Sequence, residues 1–135
     1  MPIQMSATVR NARLDAIETA IGTAPILRIR TGAMPASCAT ADSGTVLATM
    51  TLPSDWAANA ASGSKAKSGT WQDLAGDAAG TAGHWRLYDS AGTTCHMQGD
   101  CTATGGGGSM ELDNLSIAVG QQVTVATFAL TDGNA

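Results

Sequence analysis

Ser6-Ala7-Thr8-Val9-Arg10-Asn11-Ala12-Arg13-Leu14-Asp15-Ala16-Ile17-Glu18-Thr19-Ala20-Ile21 is followed by Gly22 and Pro25, and then by Ile26-Leu27-Arg28-Ile29-Arg30. Within these residues the apolar period changes from near 3.6 to 2, so one helix gives way to strands. Ser6 is suited to cap the helix, since its hydroxyl can accept from a first-turn amide. Gly22 can take the left-handed conformation that ends it, and Pro25 prevents its resumption. Val9, Leu14, Ile17 and Ile21 are expected on an apolar face, with Arg10, Asn11, Asp15 and Glu18 mostly on a wet one. In the first strand Leu27 and Ile29 point one way and Arg28 and Arg30 the other, which predicts cover on one side.

Beyond it the chain continues as short alternating segments. Gly32 to Gly44 reads as a loop. Thr45 to Leu52 alternates, with Val46, Ala48, Met50 and Leu52 on one face, interrupted by Leu47, and stops at Pro53. Ser64 to Trp71 and Thr81 to Asp89 are further strands, the second with Trp85 and Leu87 on one face and His84, Arg86 and Tyr88 on the other. Asp89-Ser90-Ala91-Gly92 has the composition of a hairpin turn, returning the chain as Thr93 to Gln98. Met110 to Leu112, Leu115 to Val119 and Gln121 to Thr131 complete the set, and the last is expected to be central because both its faces look partly apolar. One helix with seven or eight strands and turn signals between them predicts a mainly β fold, an antiparallel β-sandwich or jelly-roll-like barrel. The predicted layout is a single domain over 1–135, with an extended arm at 1–5, the helix at 6–21 and the β-sandwich at 26–131.

Composition narrows the function classes. Of 135 residues 44% are hydrophobic but only 13% charged, about half the ~25% usual for soluble domains, so the surface is unusually neutral. Seven Lys and Arg against a net charge of −4 disfavour nucleic acid, whose phosphates need clustered cations. No stretch approaches the ~20 apolar residues of a membrane span. Met1 to Met5 lacks the charged and apolar regions of a secretory signal, which suggests synthesis in a cytoplasm.

Candidate chemistry is sparse. Cys95, His96 and Cys101 are of zinc-ligand type, but neighbours on a strand face opposite ways and a fourth ligand would have to come from Cys38 or His84. A short-loop Cys95–Cys101 disulfide ranks above metal binding, and three free thiols above both. His84 and His96 are the only histidines and neither sits in a catalytic motif, so no enzymatic role and no cofactor are expected. The Gly105 to Gly108 run lacks the Lys-Ser or Lys-Thr of a phosphate loop. Trp56, Trp71 and Trp85 read as core plugs, with at least one, such as Trp56, a candidate exposed anchor for a protein partner.

The Ser6 to Ile17 opening, Leu27-Arg28-Ile29-Arg30-Thr31-Gly32, Gly44-Thr45-Val46-Leu47-Ala48, Trp85-Arg86-Leu87-Tyr88-Asp89-Ser90 and Val119-Gly120-Gln121-Gln122-Val123-Thr124-Val125 together resemble a family of small virion proteins of tailed bacteriophages, the capsid cement or head decoration proteins. The resemblance implies a protein made in the host bacterial cytoplasm that binds the major capsid protein on the assembled shell, and that is itself a homo-oligomer, a dimer or trimer. Bridging is then expected through sheet edges and the arm, with Pro2, Ile3, Met5 and Trp56 as contact residues. A tail or tail-fibre component is the alternative in the same setting. A carbohydrate-binding β-sandwich, stacking exposed Trp or Tyr on sugars, is the alternative of a different class.

Overall fold

The computed structural model describes residues 3–133. Helix α1 runs Ala7–Ile21; Ser6 caps it by accepting from Val9 N at 3.3 Å, and Gly22, at φ +92°, ends it by donating to Glu18 O. Nine strands follow among the described residues: β1 Ile26–Thr31, β2 Val46–Thr51, β3 Ser64–Ala66, β4 Gln72–Asp73, β5 Gly80–Tyr88, β6 Cys95–Ala103, β7 Met110–Leu112, β8 Ser116–Ile117 and β9 Val123–Thr131. They form one sheet in the order β2-β1-β5-β6-β7-β9-β3, with β4 also on β9 and β8 on β5. The sheet curls into a half-barrel, so the fold is mainly β with one N-terminal helix, as expected.

The pairing is not wholly antiparallel. β6 and β7 run parallel, Cys101 opposite Met110 and Ala103 opposite Leu112. Parallel neighbours normally need a long crossover, yet here residues 104–109 suffice because the glycine run turns tightly. Gly105 N and Gly107 N each donate to Glu111 Oε2 at 3.0 Å, and Gly108 N donates to Thr102 Oγ1 at 3.0 Å. The glycine amides thus hold a carboxylate of their own chain. Those amide bonds, Gly107's foremost, with one from the Thr127 hydroxyl, hold Glu111 below the ordinary carboxylate range.

β2 closes the curl. Its register on β1 shifts between Ile29 opposite Ala48 and Arg30 opposite Val46, leaving Leu47 as an extra residue. That bulge lets Leu47 and Ala48 both be buried, which resolves the interruption in the alternation. On its far side β2 meets β4 and the segment after it: Thr49 N donates to Asp73 Oδ2 at 2.9 Å, Thr49 Oγ1 to Asp77 Oδ2 at 2.8 Å, and Asp77 N to Leu47 O at 2.8 Å. Because β4 is paired to β9, these bonds join the two ends of the curled sheet.

The interior is a row of rings. Trp56 and Trp71 have centroids 6.1 Å apart, Trp71 and Phe128 5.3 Å, and Phe128 meets Trp85 edge-on at 5.3 Å. Leu27, Ile29, Leu47, Met50, Leu87 and Val125 pack around them. Each indole N–H is satisfied: Trp56 donates to Gly22 O, Trp71 to Ser68 O and Trp85 to Asp100 O. Gly99 lies opposite Trp85, and a Cβ there would come within 2.8 Å of the indole ring. The most central strand is β5, buried on both faces from His84 to Tyr88, and not β9, whose Ala126, Thr127 and Ala129 are exposed.

The helix docks by a mixed face rather than an apolar one. At about 100° per residue, Asn11 and Glu18 stand beside Leu14 and Ile21, while Val9 is turned outward and is 46% exposed. Lys65 on β3 is fully buried beneath the helix, its Nζ 2.8 Å from Asp15 Oδ1, 2.7 Å from Glu18 Oε2 and 2.9 Å from Ala58 O. Asp15 also accepts from Ala60 N, and Asn11 from Gly63 N, both at 2.9 Å. Burial opposes the Lys65 charge, but the bonds to Asp15 and Glu18 outweigh it and hold the ammonium above its ordinary value.

The exposure of the partners sets the order of mutational costs. Asp15 and Glu18 side chains keep 45% and 22% exposure, so they tolerate loss of the lysine, whereas Lys65 cannot reach water without them. The double variant Asp15→Asn/Glu18→Gln is expected to lose about 3–5 kcal/mol in urea unfolding, and Lys65→Met only about 1–2 kcal/mol. Equal losses would contradict this assignment of the buried charge.

Candidate functional site

The face of β1, β5 and β6 turned away from the rings carries the cations. Registered rows run across it, Arg30 beside His84 and Arg28 beside Arg86 and Gln98, with Tyr88 opposite Cys95 at the end. Sequence alternation places Arg28 and Arg30 on an open face; instead Arg30 is buried and Arg86 is 1% exposed. Segment 32–45 lies over them, anchored at its base by Thr31 N to Thr45 O and Thr45 N to Thr31 Oγ1.

The cover is fastened chiefly through carbonyl oxygens. Arg86 donates to Thr40 O at 3.1 Å, Ser37 O at 3.3 Å and Cys38 O at 2.9 Å. Gln98 donates to Pro35 O at 2.7 Å and Arg30 to Ser43 O at 3.5 Å. His84 Nδ1 bonds Gly32 O at 2.9 Å, and the carbonyl must accept, so that nitrogen carries the proton. Asp42 supplies the countercharge: it pairs with Arg86 and, at 3.0 Å, with Arg30, and accepts from Tyr88 Oη at 2.6 Å. Burial is the largest influence on Asp42 and opposes ionisation, but the Tyr88 bond and the two guanidinium groups prevail and hold its carboxyl below the ordinary range. Tyr88 is raised, first by burial and then by its bond to Asp42. Arg28 sits outside the network, 4.6 Å above the Tyr88 ring and donating to Gly92 O.

Beside this network is a polar pocket of about 240 Å³, walled by Cys38, Asp42, Arg86, Tyr88, Thr93 and Cys95. It brings together two thiols that are far apart in sequence. Cys101 belongs elsewhere: it shares β6 with Cys95 six residues on, about 20 Å along an extended strand, whereas bridged Cα atoms lie within about 7 Å. A Cys95–Cys101 disulfide is therefore excluded, and these two with His96 do not converge on a metal. All three thiols are free, and burial raises Cys101 to about 11. The two histidines are not brought together either, His84 lying under the cover and His96 exposed near the hairpin end of β6.

Among the expected contact residues, Ile3 is 80% exposed and Met5 half-buried, its sulfur 3.2 Å from Arg13 Nη1; Pro2 lies outside the described residues. Trp56 is corrected: it is fully buried in the row of rings, because its indole N–H is committed to the helix end at Gly22. All five aromatic residues of the chain are buried, so sugar stacking has no ring to use. The sheet edges are also less open than expected. β2 is bonded on its outer side by Asp73 and Asp77, and β3 by residues 57–61, where Ala58 N donates to Ala66 O and Ala61 and Ser64 exchange both bonds.

Exposed apolar side chains missed by the sequence reading stand on two loops bonded to each other. Leu74 is 69% and Val119 72% exposed, and Gly76 N donates to Gln121 O at 2.7 Å while Gly120 N donates to Gly76 O at 2.9 Å. Apolar residues within two positions of a loop glycine, Leu74 before Gly76 and Val119 before Gly120, are the sequence signal that could have found them.

The Asp42 assignment has a defined acid dependence. A carboxyl depressed in the folded state contributes its stability fully above the ordinary carboxylate value of about 3.9, and loses it as pH falls through the folded value. Asp42→Asn is expected to cost about 2–3 kcal/mol at neutral pH and to flatten stability against pH below about 4, read by denaturant unfolding at stepped pH. An unchanged acid limb would remove Asp42 from that role. Set against protein-family models, curated proteins and solved structures, the chain matches none of them.

Proposed function

We propose that this chain is a virion structural protein of a tailed bacteriophage, a capsid cement or decoration protein that binds the major capsid shell and stabilises it. The observation that carries the reading is the pair of bonded loops displaying Leu74 and Val119 on a surface with few charges. Interface cores are depleted in charge, and apolar side chains on braced loops lose little freedom on docking. The exposed Ile3 adds a second contact on the arm before α1. Individually weak contacts of this kind hold a protein to a lattice by repetition, since each bound copy or arm raises the effective concentration of the next. The resemblance to cement proteins across most of the chain supports the same reading.

With both sheet edges partly occupied, the docking is assigned to side chains and the arm rather than to strand addition. Binding of purified protein to preformed capsid shells, read by co-sedimentation, tests the proposal. Leu74→Asp/Val119→Asp is expected to lower retention at least tenfold with Tm unchanged, and deletion of residues 1–5 to lower it by a smaller factor. Wild-type protein that sediments with tails and not with shells would assign it to the tail or tail fibre instead.

A further inference from the structure

Cys38 and Cys95 occupy two walls of one pocket of about 240 Å³. Neither position is accidental in the fold. The Cys38 backbone is held by Arg86, whose Nη2 donates to its carbonyl at 2.9 Å, and Cys95 is the registered partner of Tyr88, two residues along the same strand. Arg86 and Tyr88 are themselves joined through Asp42, so the two cysteines are mounted on one rigid network. Both are half-buried, which leaves a path for a small oxidant, whereas Cys101 is buried.

We propose that Cys38 and Cys95 form a reversible intramolecular disulfide that staples the 32–45 cover to the β5–β6 hairpin. The oxidant is a small-molecule disulfide. One cysteine thiolate attacks a sulfur of the reagent RSSR, forming a mixed disulfide and releasing RS⁻. The second cysteine, giving its proton to solvent, attacks the protein sulfur of that mixed disulfide and expels the second RS⁻. Both leaving thiolates take up protons, so two protein thiols are oxidised as one RSSR is reduced to two RSH. In a reducing cytoplasm the pair stays open, and in an oxidising medium it closes. The loop that closes between residues 38 and 95 is long enough for a substantial gain in stability.

Folded, reduced protein treated with oxidised glutathione tests this. The expected product is lighter by about 2 Da, carries no glutathione, and melts about 5–10 °C higher than the reduced form. Cleavage before Asp100 separates Cys95 from Cys101, and the linked peptides should contain Cys38 and Cys95. Cys101→Ser should behave as wild type, while Cys38→Ser and Cys95→Ser should each stop at a glutathione adduct. Stable adducts on both Cys38 and Cys95 in the wild type, a bridge involving Cys101, or no reaction under conditions that oxidise the urea-unfolded chain would each overturn the proposal. Since the products are read on the intact wild-type protein, the outcome does not depend on how well any variant folds.

Discussion

A strand buried on both faces cannot leave a cation uncompensated, and β5 carries Arg86 at its centre. The interior face of that strand is satisfied by Trp85 and Leu87 in the row of rings; the other face has to be satisfied by polar partners brought from elsewhere. Segment 32–45 meets that demand. It has almost no side chains able to form a core, but an irregular backbone turns several carbonyls toward one guanidinium, and its single acid, Asp42, balances the charge. The cover, the depressed carboxyl and the pocket with its two thiols all follow from one arginine on the wrong side of a barrel strand to be solvated.

The same physics recurs at the helix. Lys65 is buried under α1 and held by Asp15 and Glu18, so the helix is located by charge as much as by Leu14 and Ile21. In a chain with few large apolar residues this makes sense: small side chains remove little area from water, and directional bonds specify positions that packing leaves loose. Of the seven Lys and Arg residues, three are spent inside the protein, which helps explain how neutral the outer surface is.

What could be read from sequence was what depends on neighbours along the chain. Ser6 and Gly22 marked the helix ends, the alternation of Leu27 and Ile29 marked a strand, and Asp89 to Gly92 marked a hairpin, each through local backbone chemistry. Leu47 broke a pattern because a bulge lies there. The parallel β6–β7 pair, the Arg86 cover and the adjacency of Cys38 to Cys95 rest on contacts between distant segments and left little local trace. One trace was present: Arg28, Arg30, His84 and Arg86 fall on alternate positions of two apolar strands, and Asp42 is the only acid in the 32–45 loop that follows the first. The fold class was therefore legible, while the polar network, which is tertiary throughout, was not. Helix amphipathicity misled because Asn11, Asp15 and Glu18 serve as docking groups.

The Asp73 carboxylate that accepts from Thr49 N, the Asp77 N–H that donates to Leu47 O, and the 57–61 segment that holds β3 occupy amides and carbonyls that a free edge would offer to any passing chain. Copies of this protein at high concentration consequently meet without a ready template for runaway cross-β stacking. Guarded margins of this sort leave contact with other molecules to side chains rather than to unpaired backbone.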